Sequence, residues 1–271
     1  MRGIPLYTRG VLWLFAILTI LPFALALLTS FKTQTELFQG VFTLPSSLSF
    51  ANYISAWRDG HFQIYFTNSV LVVFPVIIIS LLAGIPSGFA FAFLRLPAKK
   101  FIAFLLAIGM VLPSEAYIIP LYHEIHWMGL NNNYLALILP QVAMSIPFTT
   151  LMVASAFSQV PKELLEAAVM DGASRWKILC GLLVPAIVPT LSTLALLLFI
   201  WTWNEFLIPL ILVNKEELRT LPIGMMFFQN RNTINIPVLM AGATIAILPL
   251  VAIFLLFQRR FIHGITEGAV K

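Results

Sequence analysis

The chain has 271 residues, is 60% hydrophobic and only 10% charged, and carries a net charge of +5. A soluble domain of this length would hold about 25% charged residues, so a mean hydropathy of +0.95 excludes one; the apolar residues fall instead in runs near the about 20 needed to cross a bilayer. A single cysteine, Cys180, rules out a disulfide framework within the chain and any CxxC metal or redox site, and basic residues scattered between apolar runs fit membrane topology rather than nucleic acid.

The composition therefore predicts an all-α membrane protein. Met1–Gly10 contains Arg2 and Arg9 and leads into an apolar run without a small-residue cleavage site, so it reads as a retained first span rather than a signal peptide. Six spans are expected, near 10–31, 63–94, 101–122, 134–157, 182–205 and 237–257. The second is long enough to tilt or to protrude. After the first span, Ser49 is placed to cap a short helix with Phe50, Tyr53, Ile54 and Trp57 on one face, either on the membrane surface or against a partner. Neither outer loop, 32–62 or 206–236, is long enough for a separate domain, so residues 1–271 form a single transmembrane domain.

Two stretches echo each other. "LPSEAYIIP" (112–120) and "LPQVAMSIP" (139–147) share Leu-Pro, an alanine at the same offset and a closing Ile-Pro. Prolines seven apart lie on one helical face and tend to kink it. The echo offers Ser114, Glu115, Tyr117, Gln141 and Ser145 as lining for a polar path, to which Asn68, Tyr122, Trp203 and Asn204 add hydroxyl-matching groups. Glu115 is the one acid well inside a span; it serves either the path or a kinked backbone. In "WTWNEF" (201–206) the tryptophans suit an interfacial anchor and equally a sugar face. His61, His123, His126 and His263 lack metal-ligand spacing, and no GxxxxGK phosphate loop occurs, so neither a metal nor a nucleotide site is expected on this chain.

Between the fourth and fifth spans lies "ELLEAAVMDGASRW" (163–176), charged and alanine-rich. Pro161 suits a helix start and Glu163 its first turn. Asp171-Gly172 signals its end, and Ser174 can cap a second helix. Ala168 and Gly172, four apart, put small residues on one face that another surface can approach closely. Spacing alone leaves two readings open, a docking helix for a basic cleft and an ordinary connecting loop.

The stretch "EAAVMDGASRWKILCGLLVP" (166–185) resembles the EAA loop of ABC importer permeases, with Glu166, Ala167, Ala168, Asp171, Gly172, Ala173 and Pro185 at the pattern positions. Val184 stands where that pattern commonly has leucine. The likeness spans essentially the whole chain. "LSFANYISAW", "YFTNSVLV" and "WTWNEFLIPLIL" are similar to permeases of the carbohydrate-uptake class, and the ending "RRFIHGITEGAVK" to the tail of the smaller, maltose-type subunit. The resemblance implies the six-helix type I permease fold, with a coupling loop at 158–181, in a bacterial or archaeal cytoplasmic membrane. It implies a heterodimer with a second permease, two copies of a cytoplasmic ATPase that hold ATP and magnesium, and an external solute-binding protein. Residues Glu163 to Ala173 would transmit force, Gly264, Thr266, Glu267 and Lys271 of the tail would touch the ATPase pair, and this chain would hydrolyse nothing. The cargo expected is a neutral sugar; a glycerol phosphate or other polyol is the alternative within the class. An ion-coupled secondary transporter would need inverted repeats, which the parallel proline echo does not supply, and an intramembrane enzyme lacks a catalytic set.

Six spans put both termini on one side. That side holds Arg2, Arg9, Arg95, Lys99, Lys100, Lys162, Arg175, Lys177, Arg259, Arg260 and Lys271, eleven of the 16 basic residues, and the other holds the remaining five. The termini are therefore expected in the cytoplasm. Single cysteines at Gln39 and Gln229, in a Cys180-free background, should label from outside intact cells while one at Ser174 should not. External labelling at Ser174 would reverse the orientation.

Overall fold

Runs of this length and apolarity satisfy their backbone groups in hydrocarbon by forming helices, which need no partner strand. The computed structural model describes the backbone of residues 6–231 and 235–269, and within them the chain is helical with no strand. In chain order the helices are α1 (Leu6–Ser30), α2 (Gln34–Phe38), α3 (Ala51–Arg58), α4 (Phe62–Phe93), α5 (Lys99–Val111), α6 (Ser114–Trp127), α7 (Tyr134–Phe157), α8 (Lys162–Met170), α9 (Arg175–Ile178), α10 (Val184–Ala186), α11 (Val188–Trp203), α12 (Leu207–Leu212), α13 (Leu221–Arg231) and α14 (Ile236–Ala269).

Helices α1, α4, α7 and the Ile236–Gln258 part of α14 are each long and apolar enough to span a membrane. The third and fifth expected spans are not single rods. Helices α5 and α6 meet at 99° across Leu112–Pro113, and Arg175–Ala186 meets α11 at 76°. At the first break Leu112 is extended, at φ −64° and ψ 123°, the conformation that a following proline imposes. At the second, Ile187 (φ −106°, ψ 15°) leaves the helix just before the Val188-Pro189 start of α11. A π-helical segment, Leu179–Leu183, precedes it. Counting each bent pair as one span gives six.

The chain divides into two compact units. One comprises Met1–Phe66 with Leu221–Leu250, the other Thr67–Thr220 with Val251–Lys271. In the first, Ala56 of α3 packs with Val238 and Ala241 of α14, while Tyr53 and Ile245 flank them. The inward side of α3 is therefore Tyr53 and Ala56; Ile54 and Phe50 are exposed, which corrects the single face expected from sequence. Ser49 does act near the start of that helix, its hydroxyl accepting the Ala51 N–H at 3.3 Å.

The second unit is built on α7, the most buried of the long helices. Its first half joins Val72 and Val76 of α4, Ile118 and Ile125 of α6 and Ile208 and Leu212 of α12 in one core. Its last turns, Val153 to Phe157, join Ile178, Leu179, Leu183, Ile187 and Leu194 in another. Helix α4 crosses α7 closely. A Cβ placed on Gly84 would sit 2.3 Å from Thr149 Cγ2, and one on Gly88 would sit 2.6 Å from Val153 Cγ1. Between the two glycines, the hydroxyls of Ser87 and Thr150 are hydrogen-bonded at 2.7 Å. Lipid gives helices no hydrophobic drive to associate, so such small-residue contacts and interhelical hydrogen bonds do much of the joining.

Gly84→Val should therefore force α4 off α7, at a cost of about 1–3 kcal/mol. Thermal unfolding in detergent should begin several degrees lower, whereas Gly10→Val, on an open stretch of α1, should leave it unchanged. Equal midpoints for the two variants would show that the crossing contributes nothing.

Candidate functional site: a polar cavity and the loop behind it

Helix α7 contains Pro140 and Pro147 yet stays helical from Tyr134 to Phe157. Its polar residues recur every fourth position and return their donors to their own helix. Gln141 Nε2 donates to Leu137 O at 2.9 Å, Ser145 Oγ to Gln141 O at 2.7 Å and Thr149 Oγ1 to Ser145 O at 2.8 Å. Helix α11 packs beside α7. Gln141, Met144 and Ser145 on one side, and Ile200, Trp201, Thr202, Asn204 and Glu205 on the other, enclose a cavity of about 410 Å³. That volume is within the ordinary range for small-molecule sites, as is a largely apolar wall with a few polar groups.

Two of those polar groups are oriented by the backbone. Asn204 Nδ2 donates to Ile200 O at 2.7 Å, so its carbonyl oxygen points elsewhere. Glu205 Oε1 accepts the Ile208 N–H at 3.0 Å, at the start of α12, where an acid suits the helix dipole. Trp201 is half-exposed and meets Phe148 edge-on, with ring centroids 5.0 Å apart. Tyr117 joins from α6, its hydroxyl donating to Met144 Sδ at 3.1 Å. Glu115 and Glu205 both lie within electrostatic reach of that phenol.

Of the residues expected along a polar path, Gln141, Ser145 and Asn204 line the cavity and Tyr117 touches its wall. The others stand elsewhere. Trp203 is buried and stacked on Phe199 at 5.3 Å, and the exposed ring is its neighbour Trp201. Helical spacing sets the two tryptophans on different sides of α11, and sequence alone does not say which faces open space. Asn68 is a structural tie. Its Nδ2 donates to Glu217 O and Arg219 O at 2.8 and 2.9 Å, while Tyr134 donates to its Oδ1 at 2.6 Å. Tyr122 stacks on His126 at 6.1 Å on α6. Glu115, expected deep in a span, is exposed in the first turn of α6, beside the 99° break. Trp201 and Glu205, from the stretch read as an anchor or a sugar face, also line the cavity, and Thr202 lines it without having been singled out.

Behind the cavity, the segment between α7 and α11 forms the helix, break and second helix start that its sequence suggests. Pro161 precedes α8 and Glu163 lies in its first turn. The helix closes with Gly172 left-handed at φ +73°. Gly172 N–H bonds Val169 O, and Ala173 N–H bonds Ala168 O, both at 3.0 Å. That pair is a Schellman ending, which favours glycine at the turn. Ser174 Oγ then accepts the Lys177 N–H at 3.3 Å and starts α9. Leu165, Ala168 and Ala173 pack on the core shared by the end of α7 and the α9–α11 stretch. Ala168 therefore faces inward and does not share an outer face with Gly172, as spacing had suggested. Glu163, Glu166, Ala167, Asp171 and Gly172 are exposed, with Met170 and Trp176 beside them. Cys180, in the π-helical segment, is exposed.

The family described as "Binding-protein-dependent transport system inner membrane component" matches residues 80–267. The chain belongs to this family. Among its relatives is a probable ABC transporter permease of Bacillus subtilis, YurM, 36% identical over 96% of this chain and 87% of that one. Another is the diacetylchitobiose uptake permease NgcG of Streptomyces coelicolor, 30% identical over 100% of this chain and 90% of its own. The fold is that of ABC importer permeases. A subunit of a bacterial ABC transporter that imports the acidic polysaccharide alginate superposes with a TM-score of 0.80 at 22% identity, covering 94% of this chain and 95% of that one. The chain is thus a multi-pass inner-membrane permease subunit of an ABC importer. Of the tail residues expected at an ATPase, Gly264, Thr266 and Glu267 fall in the last turns of α14, where only the backbone is described; Lys271 lies outside the described residues.

Gly172 tests the loop in a graded way. No atom lies within 4 Å of a Cβ added there, but any L side chain meets the cost of the left-handed turn, about 1–2 kcal/mol. Alanine and leucine share that cost and differ in bulk. If another protein seats closely on Gly172, Gly172→Ala should keep most solute-stimulated ATPase activity and Gly172→Leu should lose it. Equal losses, with Gly172→Asn unaffected, would reduce the glycine to a turn residue.

Proposed function

We propose that this permease carries a neutral sugar or oligosaccharide into the cell by ATP-driven alternating access, with α8 as the point where a partner ATPase pushes. The observation that carries the reading is one of connectivity. The two helices that enclose the cavity, α7 and α11, are joined at their other ends by the stretch containing α8, which rests on the core common to both. From Ser145 to Phe157 is about 18 Å along α7 at 1.5 Å per residue. A displacement of the exposed loop therefore reaches the cavity wall through one continuous helix.

The rest of the assembly follows from the same reading. The exposed acids Glu163, Glu166 and Asp171 face the cytoplasm and a basic cleft of an ATPase. ATP and magnesium reside on that partner, and this chain hydrolyses nothing. A second permease completes a heterodimer around the path, an external binding protein supplies the solute, and both termini are cytoplasmic. The tail from Gly264 to Lys271 adds a second contact with the ATPase pair.

The solute class rests on the lining. No lysine, arginine or histidine is among the eight lining residues, and the one charged group is the carboxylate of Glu205. An anion crossing here would call for guanidinium or ammonium donors and would meet repulsion instead. Hydroxyls match Gln141, Ser145, Thr202, Asn204 and Glu205, and the face of Trp201 suits the apolar side of a sugar ring. Diacetylchitobiose, for which the Streptomyces coelicolor relative is named, is of the neutral kind.

In the reconstituted complex with its loaded binding protein, a panel of neutral saccharides should contain one that stimulates ATPase activity. Trp201→Ala should lower transport of that sugar about tenfold, the equivalent of about 1.4 kcal/mol, while basal ATPase activity persists. Stimulation by phosphorylated or other anionic solutes alone would overturn the neutral-sugar reading.

A further inference from the structure

The segment after α1 is built with its lysine buried, its glutamate tied by hydrogen bonds and its large apolar side chains outward. Between Phe31 and Trp57 the only charged residues are Lys32 and Glu36. Lys32 is fully buried. Its ammonium donates to Gly40 O at 3.1 Å, Val41 O at 2.9 Å and Thr43 Oγ1 at 3.2 Å, which uses all three of its N–H bonds. Glu36 is tied as thoroughly. It accepts from Thr33 N at 2.7 Å, Thr33 Oγ1 at 3.0 Å and Ser46 N at 3.0 Å, and from the Ser46 hydroxyl. The side-chain bond from Ser46 and the backbone bond from Thr33 hold its pKa down to about 2, so it stays ionised in place. These ties draw the ends of the segment together and consume its charge.

What remains outside is apolar. Phe38 is 83% exposed, Phe42 and Leu44 are each 77% exposed, and Leu48 is 73% exposed. Side chains of this size, so far from cover, mark a contact surface. Position says which. Three residues separate the last turn of α1 from α2. Helix α1 is a span whose own apolar side chains, from Val11 to Leu27, are largely exposed, and none of its most apolar stretch is buried in this chain. The segment thus continues an apolar surface that already lies in lipid, at the depth where aromatic and aliphatic side chains settle between headgroups and acyl chains. A protein partner recognised by charge would find Lys32 buried and the Glu36 carboxylate already holding Thr33 and Ser46.

We propose that Thr33–Phe50 is a membrane-interface anchor, in which Phe38, Phe42, Leu44 and Leu48 enter the headgroup–acyl boundary of the leaflet at the C-terminal end of α1. The anchor fixes the depth of that end of the span.

The single native cysteine makes the test direct. In a Cys180→Ser background, a nitroxide is attached to a cysteine at Phe42, and separately at Leu48 should the first variant fail to insert, in the complex reconstituted into lipid nanodiscs. Thr35, exposed and polar, gives the aqueous reference, and Leu18, exposed at mid-span, gives the lipid reference. Collisions with oxygen should exceed those with a water-soluble nickel chelate at Phe42 and Leu48, giving depths between the two references. Nickel collisions at the level of Thr35 would place the segment in water. An immobile label shielded from both reagents would place it against the second permease or the binding protein. Either outcome overturns the proposal.

Discussion

Everything in the second unit depends on α7 being able to pass buried through the membrane with its polar side chains matched. In hydrocarbon an unmatched N–H or C=O costs several kcal/mol. Two prolines in α7 each withdraw a donor, and the side chains of Gln141, Ser145 and Thr149 spend their own donors on the carbonyls of Leu137, Gln141 and Ser145, so these side chains carry no unmatched donor into the core. The helix can then be packed from several sides at once. Gly84 and Gly88 bring α4 against it, α5 and α11 lie along it, and α12 closes on its first half. The cavity is a by-product of the same stripe. Where Gln141 and Ser145 face α11, there is space and hydrogen-bonding capacity rather than aliphatic contact.

The paired proline stretches show how packing decides what local sequence leaves open. "LPSEAYIIP" and "LPQVAMSIP" share their prolines and spacing, yet the chain bends by 99° at Pro113 and runs on through Pro140. Around the first, Val111 and Leu112 are exposed, so nothing resists the extended conformation that proline asks of its predecessor. Around the second, Leu137, Ile138, Pro140 and Val142 are all buried in the core. Helix continuity there is maintained by neighbours, and removing them would expose the same intrinsic preference.

Much of the architecture was legible because hydropathy alone marks membrane segments. The expected spans 63–94 and 134–157 fall within one residue of α4 and α7. The helix-break-helix form of 161–176 was legible too, because Pro161, Gly172 and Ser174 each act through local backbone geometry. The breaks inside the third and fifth spans were not, since they turn on which proline is packed. Nor were Trp201 over Trp203, or the inward turn of Ala168. Each depends on which side of a helix meets a neighbour, and a uniformly apolar helix gives no periodicity from which to read that. The ties made by Lys32 and Asn68 were invisible for another reason. A buried polar residue bonded to distant backbone looks, in sequence, like a solvated loop residue or a candidate ligand.

The two routes from α8 to the cavity differ mechanically. On one side the exposed loop is continuous with the end of α7, an unbroken and heavily packed helix, so displacement passes along it with little loss. On the other side the stretch from α9 to α11 contains a π-helical turn at Leu179–Leu183 and a 76° bend at Ile187. Both are places where the hydrogen-bond ladder is already irregular and rotation is cheapest. Leu165, Ala168 and Ala173 pack on the core that residues from both routes share. On the proposed coupling role, a push at α8 would shift the α7 wall as a rigid piece while the α11 wall, bearing Trp201 and Glu205, would hinge at Ile187. Such unequal motion changes the width of the cavity instead of merely translating it. A permease that must close behind its cargo needs that difference.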